Sequence, residues 1–255
     1  MLVGSVSIVG AGPGDPELIT VKGQRLLAEA DVIIYAGSLV PKALLDYARE
    51  DCEIYNSASM SLPEVLETIE KSVQNNKKVV RLHTGDPSIY GAIQEQMDAL
   101  TEKGIEYDVV PGVSSFLATA AALKQEYTLP GVTQTVIITR NEGRTPVPDR
   151  ESLRSLAAHK STMCIFLSIS MLSEVVEELI AGGYEPDTPI AIVQRASWPE
   201  QRIFRGTLST ICKEIEGKGV DRTTMIVVSH VLGSDYELSR LYAPEFSHGF
   251  RKSSI

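Results

Sequence analysis

A two-domain α/β architecture with mostly parallel or mixed sheets is predicted by three observations. Short β-branched runs alternate with longer segments of helical periodicity, which is the pattern of βαβ units. The alternation breaks once, at a small, alanine-rich stretch over 114–123 followed by Pro130-Gly131, and then resumes. The length of 255 residues accommodates one large domain or two modest ones. Together these features divide the chain into four parts. They are an N-terminal α/β domain over 1–115, a helix and linker over 116–133, a C-terminal α/β domain over 134–233 and a surface tail over 234–255.

The first series begins with a strand over 6–9 that runs into a glycine-rich turn. A helix over 21–30 follows, with Thr20 placed to cap its free N–H groups. A strand over 32–35 precedes a helix over 62–75, where Ser61 and Glu64 have capping-box spacing. A strand over 78–82 leads through a turn into a helix over 88–102, and a strand over 107–110 completes the series. The second series has a strand over 135–139, a helix over 151–158, a strand over 163–167 and a helix over 173–181. Strands over 190–194 and 202–206 flank the Trp198-Pro199 turn, and a helix over 208–215 and a strand over 225–228 close the series.

Composition narrows the function. Lys and Arg number 24 against 33 Asp and Glu, a net charge of −9, which argues against general binding of nucleic acid because phosphates demand a cationic excess. An anionic small ligand would have to meet a local basic cluster. The three cysteines, Cys52, Cys164 and Cys212, are far apart, so neither a disulfide framework nor a cysteine zinc site is expected. No basic leader region and no membrane-length apolar run is present, so a cytoplasmic protein without a membrane partner is expected. His159 and His230 have no partners at metal-ligand spacing, and no protein-bound metal is expected.

Gly10-Ala11-Gly12-Pro13-Gly14 follows the first strand and suggests a dinucleotide-binding loop. Asp15 opposes that reading, because it stands where the third glycine of the fingerprint belongs and puts a carboxylate where a pyrophosphate would sit. Pro13 also removes a backbone donor. The loop suits close approach of an uncharged or cationic ligand better, and an NAD-dependent oxidoreductase is the less favoured enzyme class. Gly14-Asp15-Pro16 and Gly85-Asp86-Pro87 echo each other, each after a strand. Asp before Pro is helix-capping chemistry, so capping competes with a site role for both acids. His83 is a candidate base, or a satisfied structural group at a strand end.

Five segments in order resemble one family: VGAGPGDPELIT (9–20), RLHTGDPSIYG (81–91), VPGVSS (110–115), IVQRASWPEQR (192–202) and MIVV (225–228). This pattern resembles the tetrapyrrole methylases, and the resemblance covers nearly the whole chain. It implies two α/β domains with a ligand cleft between them and S-adenosyl-L-methionine (SAM) as methyl donor, leaving S-adenosyl-L-homocysteine. TRNEGRTPVP (139–148) and FSHGFRK (246–252) further resemble the members that methylate corrinoid precursors of cobalamin. They imply C11 of precorrin-4, with or without cobalt, as acceptor. Other methylases of the family, acting on a different precorrin carbon, are the nearest alternative.

By the same resemblance SAM is expected to touch Pro13, Thr84, Gly85, Asp86, Ser114, Ser115, Leu167, Ala196, Thr224 and Met225. Asp86 is the first candidate for a polar catalytic role, and Tyr90, one helical turn on, is the second. The substrate is a large apolar macrocycle rimmed by carboxylates, which suit the planar fork of arginine. Arg140, Arg144, Arg195 and Arg202 are therefore candidate substrate ligands, against the alternative of surface ion pairing. His248, Arg251 and Lys252 are weaker candidates for the same rim. The resemblance also implies a homodimer.

Overall fold

The computed structural model describes residues 5–233, 236–239, 241 and 243–252. Residues 1–4, read above for a leader, and 234, 235, 240, 242 and 253–255 of the expected tail lie outside the described residues. The chain separates into two compact units, Met1–Ala118 with Arg195–Gln201, and Thr119–Gln194 with Arg202–Ile255.

The first unit is built on strands β1 (Val6–Gly10), β2 (Val32–Tyr35), β3 (Glu53–Asn56), β4 (Val79–His83) and β5 (Tyr107–Val110), in the order β3-β2-β4-β1-β5. Every neighbouring pair is parallel. β1, β2 and β4 are buried end to end, because helices cover both faces of a parallel sheet. Val9, Ile33, Val80 and Leu82 face a core closed by Leu27 of α1 (Val21–Glu29) and Leu44 of the short turn Lys42–Tyr47. Val6, Val32, Ile34 and Val79 face the opposite core, closed by Val65 and Ile69 of α2 (Leu62–Gln74) and Leu100 of α3 (Gln94–Glu102).

The expected caps form. The Thr20 hydroxyl accepts from the Gly23 N–H at 3.1 Å, and the Ser61 N–H donates to Glu64 at 2.7 Å. In the second unit the helix expected over 208–215 spans only Ile211–Ile215, and in the first unit two features differ from the sequence reading. β3 is an additional strand, exposed along its whole length at the sheet edge, so it lacks the apolar run by which the others are recognised. The expected helix over 88–102 begins only at Gln94. Tyr90 and Ala92 have φ of +54° and +49°, outside the helical region, and a Cβ on Gly91 would lie 2.1 Å from the Pro87 carbonyl oxygen. Tyr90 is thus a loop residue, not a helical one.

The strand order creates a switch point. From β1 the chain moves across β4 to reach β2, while from β4 it moves across β1 to reach β5. The carboxyl ends of β1 and β4 lie side by side, with Gly10 in register with His83. In open parallel sheets the crevice outside such a pair is where ligands bind.

The second unit has strands β6 (Val136–Arg140), β7 (Thr162–Phe166), β8 (Pro189–Gln194), β9 (Arg202–Thr207) and β10 (Thr224–Val228), ordered β6-β7-β10-β8-β9. Only β6 and β7 pair in parallel, across the crossover that contains α5 (Leu153–Ala157), and the other pairings are antiparallel. This sheet is therefore mixed. Met163, Ile165, Ile192 and Ile226 pack against Leu153 of α5, Val175 and Leu179 of α6 (Leu172–Ala181) and Ile211 of α7 (Ile211–Ile215). Thr162, buried in β7, donates to the Tyr127 carbonyl at 2.8 Å. α4 (Ser115–Leu123) spans the change from one unit to the other. Among the described residues no helix is long and apolar enough to cross a membrane.

Candidate active site

At the switch point three backbone segments cross. The Ala11 N–H donates to the His83 carbonyl at 2.7 Å, and Gly12 and Gly85 exchange hydrogen bonds at 3.2 and 2.8 Å. Gly85 takes φ +58°, a conformation that favours glycine. A Cβ on Gly10 would fall 2.6 Å from the Gly112 Cα, and one on Gly112 would fall 2.1 Å from the Gly85 carbonyl oxygen. Glycine at 10 and 112 is thus what lets the loops after β1, β4 and β5 meet. Asp86 fastens the crossing, with one carboxylate oxygen accepting from the Ser88 N–H at 2.8 Å and the other from the Gly112 N–H at 2.9 Å. Its role in the structure is capping and stitching. Ser114 is buried beside Gly85 at the start of α4, where its carbonyl accepts from Leu117 and Ala118. Ser115 and Thr84 are half-buried.

The segment Arg195–Gln201 belongs to the same unit and holds the glycine loop from the other side. The Trp198 indole N–H donates to the Pro13 carbonyl at 2.9 Å, and the Asp15 N–H donates to the Ser197 hydroxyl at 3.0 Å. Gly14 lies against the indole, since a Cβ there would meet Trp198 Cδ1 at 2.1 Å. Asp15 itself caps the turn Pro16–Leu18 through the Glu17 N–H. Ala196 is buried between Arg195 and Ser197, both of which have positive φ, +51° and +69°. Non-glycine residues held in that region mark strain, which clusters at binding sites. The sequence reading did not assign this clamp. Its signal was the chain's single tryptophan in a turn of a shared motif.

In the second unit Leu167 follows β7 with φ +55° and is 66% exposed, an unusual pairing of strain with an uncovered apolar side chain. Thr224 and Met225 start β10, with Met225 buried. The arginines divide. Arg140 donates to the carbonyls of Asn141, Thr145 and Pro146 at 2.7–3.2 Å, and Arg202 donates to Gln194 and to the carbonyls of Lys218 and Gly219. Both act on their own unit. Arg144 and Arg195 are exposed, Arg195 meets Glu200 only at 4.0 Å, and Arg144 makes no hydrogen bond or ion pair among the described residues. In the tail, Arg251 is likewise turned inward, donating to the carbonyls of Leu241, Ala243 and Phe246.

Comparison with known proteins identifies the family. A sequence model of the Tetrapyrrole (Corrin/Porphyrin) Methylases matches residues 5–212. The chain belongs to the tetrapyrrole methylases. It is 57% identical to a cobalt-precorrin-4 C(11)-methyltransferase of Methanocaldococcus jannaschii, over 97% of this chain and 96% of that one. It is 46% identical to a precorrin-4 C(11)-methyltransferase of Pseudomonas aeruginosa, over 97% and 98%. The crystal structure of the cobalt precorrin-4 methyltransferase CbiF superposes with a TM-score of 0.88 at 45% identity, covering 90% of this chain and 96% of that one. A uroporphyrin-III C-methyltransferase of Thermus thermophilus, complexed with S-adenosylhomocysteine, superposes with a TM-score of 0.75 at 29% identity, covering 90% and 94%.

Tetrapyrrole methylases use SAM, and the donor set of this chain fits it. No Lys or Arg lies in the loops 10–16, 84–91 or 111–116, so nothing there would neutralise a pyrophosphate. The loops instead offer backbone groups, serine and threonine hydroxyls and two carboxylates already capped by N–H groups, which a phosphate-free cationic ligand tolerates. This chemistry disfavours the dinucleotide reading of the glycine loop. His83 is no ready base: its Nε2 is buried without a partner, and burial together with the Arg81 charge pushes its pKa down to about 3. Arg81 is itself buried, donating to Gln96 at 3.1 Å and to the Ile34 carbonyl at 3.0 Å. Among the described residues no group of acids, histidines and cysteines is arranged to hold a metal.

Proposed function

We propose that this protein is an SAM-dependent C-methyltransferase that methylates C11 of precorrin-4 or its cobalt form in cobalamin biosynthesis. The observation that carries the reading is the near full-length match to enzymes of that name, on a chain whose switch-point loops suit SAM. Bound SAM supplies a methyl group already activated on its sulfonium, so the protein needs no nucleophilic side chain.

The chain's own contribution is alignment. The crossing at Gly10, Gly85 and Gly112 and the Trp198 clamp hold the Pro13 and Thr84-Gly85-Asp86 backbone in one geometry, and a fixed geometry is where proximity and orientation yield most of their effect. Leu167, Ala196, Ser114, Ser115, Thr224 and Met225 complete the proposed donor contacts. Asp86 acts by holding its turn. Tyr90, 46% exposed on the same strained loop, is the remaining candidate for contact with the reacting groups. Arg144 and Arg195 are the substrate ligands of choice, because their guanidiniums are exposed and little engaged. Arg140 and Arg202 serve by shaping the loops.

The enzyme works as a cytoplasmic homodimer in this reading, which family membership supports. Calorimetry with SAM and with NADH tests the donor, and only SAM is expected to bind. Light scattering tests the assembly, and a mass near 27.7 kDa across micromolar concentrations would remove the dimer.

A further inference from the structure

The loop that carries Arg144 is closed at both ends by contacts that nothing in a surface loop requires. Arg140 gathers the carbonyls of residues 141, 145 and 146 around its guanidinium. At the base of the loop Asn141 is buried, and its side-chain amide donates to Glu174 at 2.9 Å, in the first turn of α6. Its backbone N–H donates to the Ser168 hydroxyl at 2.8 Å. That hydroxyl is fully buried and donates in turn to the Phe166 carbonyl at 2.6 Å. Residues 166 and 168 flank Leu167, which has φ +55° and an exposed side chain.

We infer that Asn141 is a positioning residue that locks the Arg144 loop and the Leu167 turn into one unit, so that substrate and donor contacts are set together. The inference rests on the assignment of Leu167 to SAM and Arg144 to the tetrapyrrole. Asn141 suits the task because one short side chain supplies a donor to Glu174 while its backbone serves Ser168. An acid at 141 would instead set two carboxylates against each other.

The test compares a single variant with a double variant that restores the wild-type charge. Asn141→Asp removes the donor and repels Glu174, whereas Asn141→Asp with Glu174→Gln restores a donor on the opposite side. Asn141→Asp is expected to weaken tetrapyrrole and SAM binding together, each by about tenfold, the scale of one lost hydrogen bond to a charged partner. The double variant is expected to recover both. Hydrogen exchange reads the coupling without any ligand: segments 141–146 and 166–168 should lose protection together in Asn141→Asp and regain it together in the double variant. Loss of protection in one segment alone, or no recovery in the double variant, would overturn the inference. If wild type bound neither ligand while the exchange pattern held, the functional assignment would fall and the coupling would stand.

Discussion

Gly14→Ala is the sharpest probe of the donor loop. The added methyl would sit 2.1 Å from Trp198 Cδ1 and 2.3 Å from Nε1, well inside van der Waals contact, so the indole has to move by more than 1 Å. Moving it breaks the 2.9 Å bond to the Pro13 carbonyl. Overpacking of this kind costs about 1–3 kcal/mol, and the lost bond about 1 kcal/mol more. The same methyl meets no indole once Trp198 is alanine. The four proteins of the Gly14→Ala, Trp198→Ala cycle should therefore show strong coupling: Gly14→Ala should cost at least ~1 kcal/mol less in the Trp198→Ala background than in wild type. Urea unfolding reads the stability and calorimetry reads SAM affinity. Additive effects on both would show that the clamp does not hold the glycine loop.

Three further outcomes are expected. Arg144→Ala and Arg195→Ala should each weaken binding of a corrinoid analogue by about tenfold with little loss of stability, while Arg140→Ala and Arg202→Ala should lower the unfolding midpoint first; uniform behaviour of all four would refute the division. His83 keeps a folded pKa of about 3 against an ordinary 6.5, so the stability it contributes is full above pH 6.5 and is lost as the pH falls towards 3. Wild type should accordingly lose up to ~1.4 kcal/mol per pH unit more than His83→Gln over that window, and parallel urea curves would contradict this. Gly85→Leu adds a side chain in a left-handed turn whose nearest neighbour to a Cβ is the Ser114 Cα at 3.7 Å. A folded Gly85→Leu protein with undiminished SAM affinity, measured by calorimetry, would take the turn out of the donor site.

What the sequence disclosed was local. The buried runs of β1 and β2 stand out because nearly every residue is apolar or small, β4 shows itself by Val79-Val80 and Leu82 although Arg81 and His83 interrupt it, and Thr20, Ser61 and Glu64 announce helix starts by spacing alone. β3 was illegible because an exposed edge strand needs only a neighbour to pair with, not a pattern of its own. The late start of α3 was illegible because helix-compatible residues are held out of the helix by the Gly91 approach to Pro87. The site followed the same division. The glycine loop at 10–14 and Gly85 signalled close approach of a ligand, but the backbone that Gly10, Gly12 and Gly85 meet, Gly112 included, lies far away in sequence. Asp86 reads equally as cap or catalyst until the Gly112 N–H, 26 residues away, is seen on its second oxygen. The four arginines look equivalent in sequence, and only loop closure reveals which two are spent on carbonyls.

Methyl transfer to one carbon is the reaction to be measured. Incubating the enzyme with SAM bearing an isotopically labelled methyl and with precorrin-4, metal-free and cobalt-loaded in separate reactions, permits a direct reading by mass spectrometry and carbon NMR. One added methyl, bonded to C11, is expected in at least one of the two reactions. Absence of label from both products, or label on a different carbon, would contradict the proposed function.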